Sequence, residues 1–134
     1  VERASLLTIR GNRYELPKAL NNVHMSDWLS LGKLSRSSLN LNEGAIHSHL
    51  LFIDKDGEVP THTHKGFEIT LLLEGSFEDD LGEYHPGDFI ELDGKTNHQP
   101  RTKTGCLCYT VADDALVFTE GFHKLFNPIG NLLY

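Results

Sequence analysis

Residues 60–68 contain three side chains that can coordinate a metal ion. The segment reads Pro-Thr-His-Thr-His-Lys-Gly-Phe-Glu, so that His62 and His64 lie two positions apart and Glu68 follows four positions later. Side chains at i and i+2 of a β-strand point to the same face, which places two imidazoles side by side. A turn or bulge at Lys65-Gly66 can return the chain toward that face. Imidazole and carboxylate ligands suit zinc, iron, nickel, manganese or copper.

A fourth ligand has to come from elsewhere, and His98 is the best candidate. It follows a turn at residues 93–97 and opens another short run with strand character. Isolated histidines are usually surface or core residues, but three potential ligands on one side of a seven-residue window (62–68) are hard to explain in this way. Burying Glu68 in an apolar barrel would also be costly unless it were paired or bound to a cation. The sequence therefore predicts one divalent metal bound by His62, His64, Glu68 and His98.

Two other pairs of residues could also contact a metal ion. His47 and His49 have the same spacing, but no carboxylate stands four residues further on, so we interpret them as an ordinary strand end, with contact to the metal as the alternative. Cys106 and Cys108 would point to one side of a strand, where a disulfide between them would be strained. We interpret them as two small apolar thiols in the core, with a redox pair or a contact to the metal as the alternative.

The elements that position these residues are short and rich in β-branched and apolar residues. From Ser48 onward, runs of this kind are separated by Gly, Asp, Asn and Pro clusters at spacings of about ten residues. The runs are Leu50–Ile53, Val59–His64, Phe67–Leu73, Ser76–Asp79, Phe89–Leu92, His98–Arg101, Leu107–Val111 and Leu116–Thr119. Eight such strands predict an all-β double-sheet sandwich or jelly roll. The helical candidate is Leu16–Val23, within an otherwise irregular or short-stranded N-terminal segment.

The run Phe67–Leu73 has two different faces. Glu68, Thr70 and Leu72 would line the barrel interior, while Ile69, Leu71 and Leu73 form an apolar face. That face needs a cover, either from the N-terminal segment around Trp28 and Leu29 or from a second subunit. We therefore expect a homodimer or larger assembly if the N-terminal segment does not suffice.

The length and composition of the chain indicate its domain organisation and the partners it can bind. With 134 residues the chain predicts one domain: an N-terminal extension (1–47) packing on the barrel, a metal-binding barrel (48–122) and a C-terminal tail (123–134). A net charge of −7 with scattered basic residues argues against direct nucleic-acid binding. No stretch has the length of a bilayer span or the apolar core of a signal peptide, so we expect no membrane partner and a cytoplasmic protein. A start at Val1 is compatible with a trimmed product or an excised domain.

These motifs resemble those of the cupin superfamily. His62-x-His64-x-x-x-Glu68, followed by Gly75, is similar to the first cupin motif. Pro86-Gly87-Asp88 leading to His98 is similar to the second, with one extra residue and no proline in the stretch 92–98 where that motif usually reads Pro-x-Gly-x-x-His. The resemblance implies a double-stranded β-helix, the jelly-roll barrel of cupins, with a short helical or irregular N-terminal segment.

A narrower resemblance covers residues 14–122. The stretches that carry it are similar to the C-terminal cupin domain of ChrR-type anti-sigma factors. They are 60–68, Leu72-Leu73-Glu74-Gly75-Ser76-Phe77, Pro86-Gly87-Asp88-Phe89, His98-Gln99-Pro100 and Cys106-Leu107-Cys108. In that family the corresponding residues bind zinc, so the resemblance implies zinc at the four predicted ligands, with iron, nickel or manganese as alternatives.

The resemblance also implies a function. Such factors bind a sigma factor through a small helical zinc domain, which residues 1–47 do not supply. The expected partner is therefore an anti-sigma domain or a sigma factor complex, bound through a missing N-terminal domain. The chain would then be a sensor domain of a transcriptional regulator that responds to an oxidative signal such as singlet oxygen. The alternatives are an iron-dependent dioxygenase acting on a small diketone or hydroxyaryl ketone, and a scaffold whose metal is structural. Four protein ligands saturate tetrahedral zinc, whereas iron keeps two positions open.

Overall fold

The chain folds into antiparallel β-sheets. The computed structural model describes residues 6–41, 44–59, 62–64, 66–93, 99–113 and 116–118, with the backbone alone at 62–64 and 116–118. The strands are β1 (Leu6–Ile9), β2 (Asn12–Glu15), β3 (His24–Met25), β4 (Leu29–Leu31), β5 (Leu34–Asn40), β6 (His47–Ile53), β7 (His62–His64), β8 (Glu68–Gly75), β9 (Phe77–Asp79), β10 (Gly82–Tyr84), β11 (Phe89–Leu92), β12 (Cys106–Ala112) and β13 (Leu116–Phe118). No helix within these residues is long and apolar enough to cross a bilayer.

Seven strands form the main sheet, in the order β11-β8-β12-β6-β5-β3, with β4 also paired to β5. The described residues also form three two-stranded units: β1 with β2, β9 with β10, and β7 with β13. This is the all-β jelly roll that the sequence predicts. The main sheet includes strands on both sides of residue 47, and the proposed division into extension, barrel and tail stays a prediction.

Seven of the eight predicted runs overlap strands of the structure, and the exception is His98–Arg101. Residues 99–101 form no strand, because Arg101 makes isolated bridges to Glu58 and Glu78 instead of pairing along a ladder. The helix predicted at Leu16–Val23 shortens to a 3₁₀ helix, Lys18–Leu20. A stretch this short has too few backbone hydrogen bonds to repay helix nucleation. The strand β5 was missed altogether.

The core has two clusters, one on each face of the main sheet. The inner cluster includes Ile53 of β6, Leu72 of β8 and Cys106 of β12. The outer cluster includes Leu50, Phe52 and Leu107, which pack with the N-terminal residues Ile9, Leu16, Tyr14, Leu20 and Trp28. Successive residues of β6 and β12 alternate between the two clusters, as the pleat of a strand requires.

The N-terminal segment provides at least part of the expected cover for the apolar face of β8. Leu73 packs against the outer cluster, which contains Trp28. Ile69 and Leu71 are half-buried, and Phe89, which lies opposite Leu71 on β11, is exposed. A homodimer formed through this face stays a prediction.

The end of β8 comes very close to the start of β12. Gly75 has a φ of +79°, and a Cβ there would collide with the carbonyl oxygen of Gly105 and lie 2.9 Å from the Cα of Cys106. The β8–β12 register shifts between Leu107 and Cys108, so a β-bulge lies next to this contact. Only glycine combines the positive φ with the missing side chain that the contact requires.

We expect Gly75→Ala to destabilise the fold more than Gly11→Ala. Gly11 has nearly the same φ, +78°, but open space around it, so its substitution measures the backbone strain alone. We expect Gly11→Ala to lower the free energy of unfolding by about 1 kcal/mol and Gly75→Ala by about 2 kcal/mol more, because of the added clash. Urea unfolding measures both, and equal losses would contradict the close approach.

Candidate functional site

Glu68 is the predicted metal ligand whose side chain the structure describes. It is the first residue of β8, where it lies opposite Leu92 of β11 and Ala112 of β12. The carboxylate is half-buried, and Thr70 Oγ1 donates a hydrogen bond to its Oε1 at 2.8 Å. A neighbouring hydroxyl thus orients the carboxylate, as partners of metal ligands commonly do.

A contact between the start of β8 and the end of β12 holds Glu68 in place. The N–H of Phe67 donates to Asp113 Oδ1 at 2.8 Å, and the N–H of Asp113 donates to the carbonyl of Phe67 at 3.4 Å. Gly66 lies in a bend directly against the Asp113 carboxylate, where a Cβ would overlap it. The sequence indicated a turn or bulge at Gly66, but no motif pointed to Asp113.

The remaining predicted ligands can be located only in part. His62 and His64 lie in β7, as expected for a pair on a strand, and they face Phe118 and Leu116 of β13 in the register. Their side chains, and all of His98, lie outside the described residues. No group of three metal-binding side chains occurs within the described part, which holds the side chain of just one of the four candidates. Glu68 is an oriented carboxylate, and the two histidines lie on β7 four and six residues earlier in the chain. Carboxylate and imidazole ligands suit a borderline divalent cation, and the complete ligand set stays a prediction.

A row of polar side chains crosses the inner face of the main sheet near Glu68. Ser38, His49, Thr110 and Thr70 stand opposite one another on β5, β6, β12 and β8. His49 is only 5% exposed, and Thr110 Oγ1 lies 2.6 Å from its Nε2. His49 Nδ1 is buried and has no hydrogen-bond partner among the described residues. The interpretation of this histidine as an ordinary strand end is therefore incomplete, since it is an interior residue.

Burial sets the charge state of His49. Desolvation, followed by the charges of Arg36 and His47, lowers the pKa of His49 from 6.5 to about 3. The imidazole is therefore neutral at physiological pH. His47, two residues earlier at the start of β6, is exposed.

The two cysteines belong to the core. Cys106 and Cys108 are free, buried and part of the inner cluster, as the core interpretation predicted. A hydrogen bond with Cys106 that holds the protonated form, together with burial, raises the pKa of the Cys108 thiol well above its ordinary value. The protonated form is a poor nucleophile, so these contacts do not favour a redox pair.

We expect the buried His49 to make stability fall in mild acid. Its pKa is lower in the folded state than in the unfolded chain, so the unfolded state binds the extra proton as pH falls from 6.5 toward about 3. The free energy of unfolding should drop by about 2 kcal/mol between pH 6.5 and pH 5 from this residue alone. His49→Gln should flatten that part of the pH profile in urea unfolding.

The control for this experiment is His24→Gln, which removes an exposed imidazole from β3. It should leave the pH profile of the original chain unchanged. An unaltered profile in His49→Gln would show that His49 is not held neutral by burial.

Comparisons with known proteins agree with this architecture. The ChrR Cupin-like domain family model matches residues 17–115. The anti-sigma-E factor ChrR of Cereibacter sphaeroides is 33% identical over 103 residues, which make up 75% of this chain and 48% of that protein. The chain thus spans about half the length of this relative.

Solved structures give the same result. The complex of Rhodobacter sphaeroides SigE with the anti-sigma ChrR matches with a TM-score of 0.60 and 31% identity, over 64% of this chain and 48% of that chain. An RmlC-like cupin from Ralstonia eutropha matches with a TM-score of 0.61 and 15% identity, over 84% and 82% of the two chains. The polyketide cyclase RemF from Streptomyces resistomycificus matches with a TM-score of 0.60 and 19% identity, over 86% and 92%. The last two likenesses concern the fold alone. From the extent of the family match and the identity to ChrR, the chain belongs to the ChrR cupin-like domain family.

Proposed function

We propose that this chain is the metal-binding sensor module of a ChrR-like anti-sigma factor that acts in the cytoplasm. His62, His64, Glu68 and His98 would hold one zinc ion. The observation that carries the proposal is the Glu68 carboxylate, half-buried at the start of β8 and oriented by Thr70. Family membership supports the same assignment.

The contacts around Glu68 favour a regulatory role. Zinc with four protein ligands has a filled tetrahedral shell, which suits a structural or signalling site. Thr70 fixes one carboxylate oxygen of Glu68, while Asp113 ties the residue before it to the end of β12. A change in the position of Glu68 would therefore be passed to the end of β12 and to the chain that follows. Oxidation at the site, as by singlet oxygen, is the signal that we propose.

The proposed partner is an anti-sigma domain, or its complex with a sigma factor, joined through sequence outside this chain. The relative of known structure forms a complex with SigE, and this chain corresponds to about half of that relative. We do not expect this chain alone to inhibit a sigma factor.

We expect Glu68→Ala to abolish stoichiometric metal binding, and His62→Ala, His64→Ala and His98→Ala to do the same. Thr70→Val should weaken zinc affinity about tenfold, because it removes the hydroxyl that orients Glu68 while keeping the side-chain shape. Elemental analysis measures the metal content, and competition with a chelator measures the affinity.

The matched control is Thr70→Ser, which keeps the hydroxyl and should retain affinity close to that of the original chain. Zinc removal should also lower the thermal midpoint, because ligand binding contributes to folding. Full zinc occupancy in Glu68→Ala would remove Glu68 from the site and with it the main support for the proposal.

A sensor module is expected to show no catalytic turnover. With zinc or iron bound, the chain should show no steady oxygen consumption with small diketones or hydroxyaryl ketones, because its role is to bind and signal. An oxygen electrode measures this directly, with the Glu68→Ala chain as the background rate. Sustained oxygen uptake that depends on iron and on Glu68 would replace the sensor with a dioxygenase.

A further inference from the structure

Arg36 is a cation on the inner face of the barrel without a counter-ion among the described residues. It lies on β5 two residues after Leu34, a member of the inner cluster, and so shares its face. Its Nη1 donates to Ser38 Oγ at 2.7 Å, whereas its Nε is buried and has no partner. No described carboxylate lies within ion-pair distance of it. Burial lowers the pKa of Arg36, and no acidic group offsets the shift.

The second buried atom without a partner belongs to His49. His49 stands directly opposite Ser38, the residue that accepts from Arg36. Thr110 Oγ1 lies 2.6 Å from His49 Nε2 and 3.4 Å from the His49 carbonyl oxygen; where the hydroxyl donates to Nε2, the proton of the neutral imidazole is on Nδ1. Arg36 Nε–H and His49 Nδ1–H are then two buried donors on neighbouring strands, both without acceptors. Buried donors in native proteins nearly always have a partner.

We propose that Arg36 and His49 bind a small carboxylate ligand inside the barrel, and that this binding does not depend on the metal. A carboxylate supplies two acceptor oxygens for these donors and a negative charge beside Arg36, which has no described carboxylate within ion-pair distance. The guanidinium uses Nη1 for Ser38, so its Nε edge is the one that a planar carboxylate can meet side-on.

A cavity lies next to the proposed site. It has a volume of about 450 Å³, lies at the end of the β5–β6 hairpin and is lined by Ser38, Asn40 and His47, among others. Its lining includes Ser38, the partner of Arg36, but neither Arg36 nor His49, so it borders the two donors and does not contain them. Glu68 is on β8, which β6 and β12 separate from β5 in the sheet, and neither Arg36 nor His49 contacts it in the described hydrogen bonds.

Acetate is the probe for this site. Titration of the whole chain with sodium acetate, against sodium chloride at equal ionic strength, should give saturable shifts of the His49 ring nitrogens in ¹H–¹⁵N NMR spectra. Arg36→Met should weaken acetate binding at least tenfold, because it removes a charge-assisted hydrogen bond at similar side-chain length. The matched control is Arg13→Met on β2, which removes an exposed cation and should leave binding unchanged.

A second variant and the removal of zinc test the site further. Ser38→Ala should weaken acetate binding less than Arg36→Met, and it provides a second variant if Arg36→Met does not fold. Binding should be the same in zinc-loaded and chelator-treated protein. Acetate binding that requires zinc would place the ligand on the metal, and binding that persists in folded Arg36→Met would remove Arg36. Either result, or the absence of saturable shifts, would overturn the proposal.

Discussion

The pairing of β12 with two strands at once is the constraint on which the interior depends. All seven of its residues, Cys106–Ala112, pair with β6 on one side and with β8 on the other. This double register aligns Thr110 with both His49 and Thr70, and it sets Ala112 beside Glu68. Asp113, the next residue, then reaches the backbone of Phe67. A slip of one residue in either ladder would turn these side chains to the opposite face.

The inner face that results is apolar at one end and polar at the other. Ile53, Cys106 and Cys108 form part of the apolar end, where a hydrogen bond with Cys106 and burial raise the pKa of the Cys108 thiol. Thr70 and Thr110 each have a hydrogen-bond partner at the polar end. Apolar surroundings strengthen nearby electrostatic interactions and raise the free-energy cost of each buried donor that lacks a partner. A ligand that satisfies such donors gains affinity for the same reason.

Alternation of residue types was enough to predict the strands that build the barrel, but not the residues that complete its polar end. Leu50–Ile53 and Phe67–Leu73 were recognisable as strands, and Glu68 stood out as a carboxylate on an otherwise suitable face. The strand β5 was missed because its sequence, Leu-Ser-Arg-Ser-Ser-Leu-Asn, is mostly polar and has no clear apolar period. The burial of His49 and the contact of Asp113 depend on pairing between distant segments, which local patterns do not report.

The strand β5 connects the two faces of the main sheet. It carries Arg36 inward and Leu39 outward, while the division into an N-terminal extension, barrel and tail stays a prediction. Leu39 belongs to the same outer cluster as Leu16 and Ile9. The strand β5 therefore contributes side chains to both faces of the sheet. A ligand shifts a conformational equilibrium only through different affinities for two states. A signal inside the barrel therefore has a direct physical connection to the N-terminal surface, because any state that moves Arg36 along β5 must also repack Leu39.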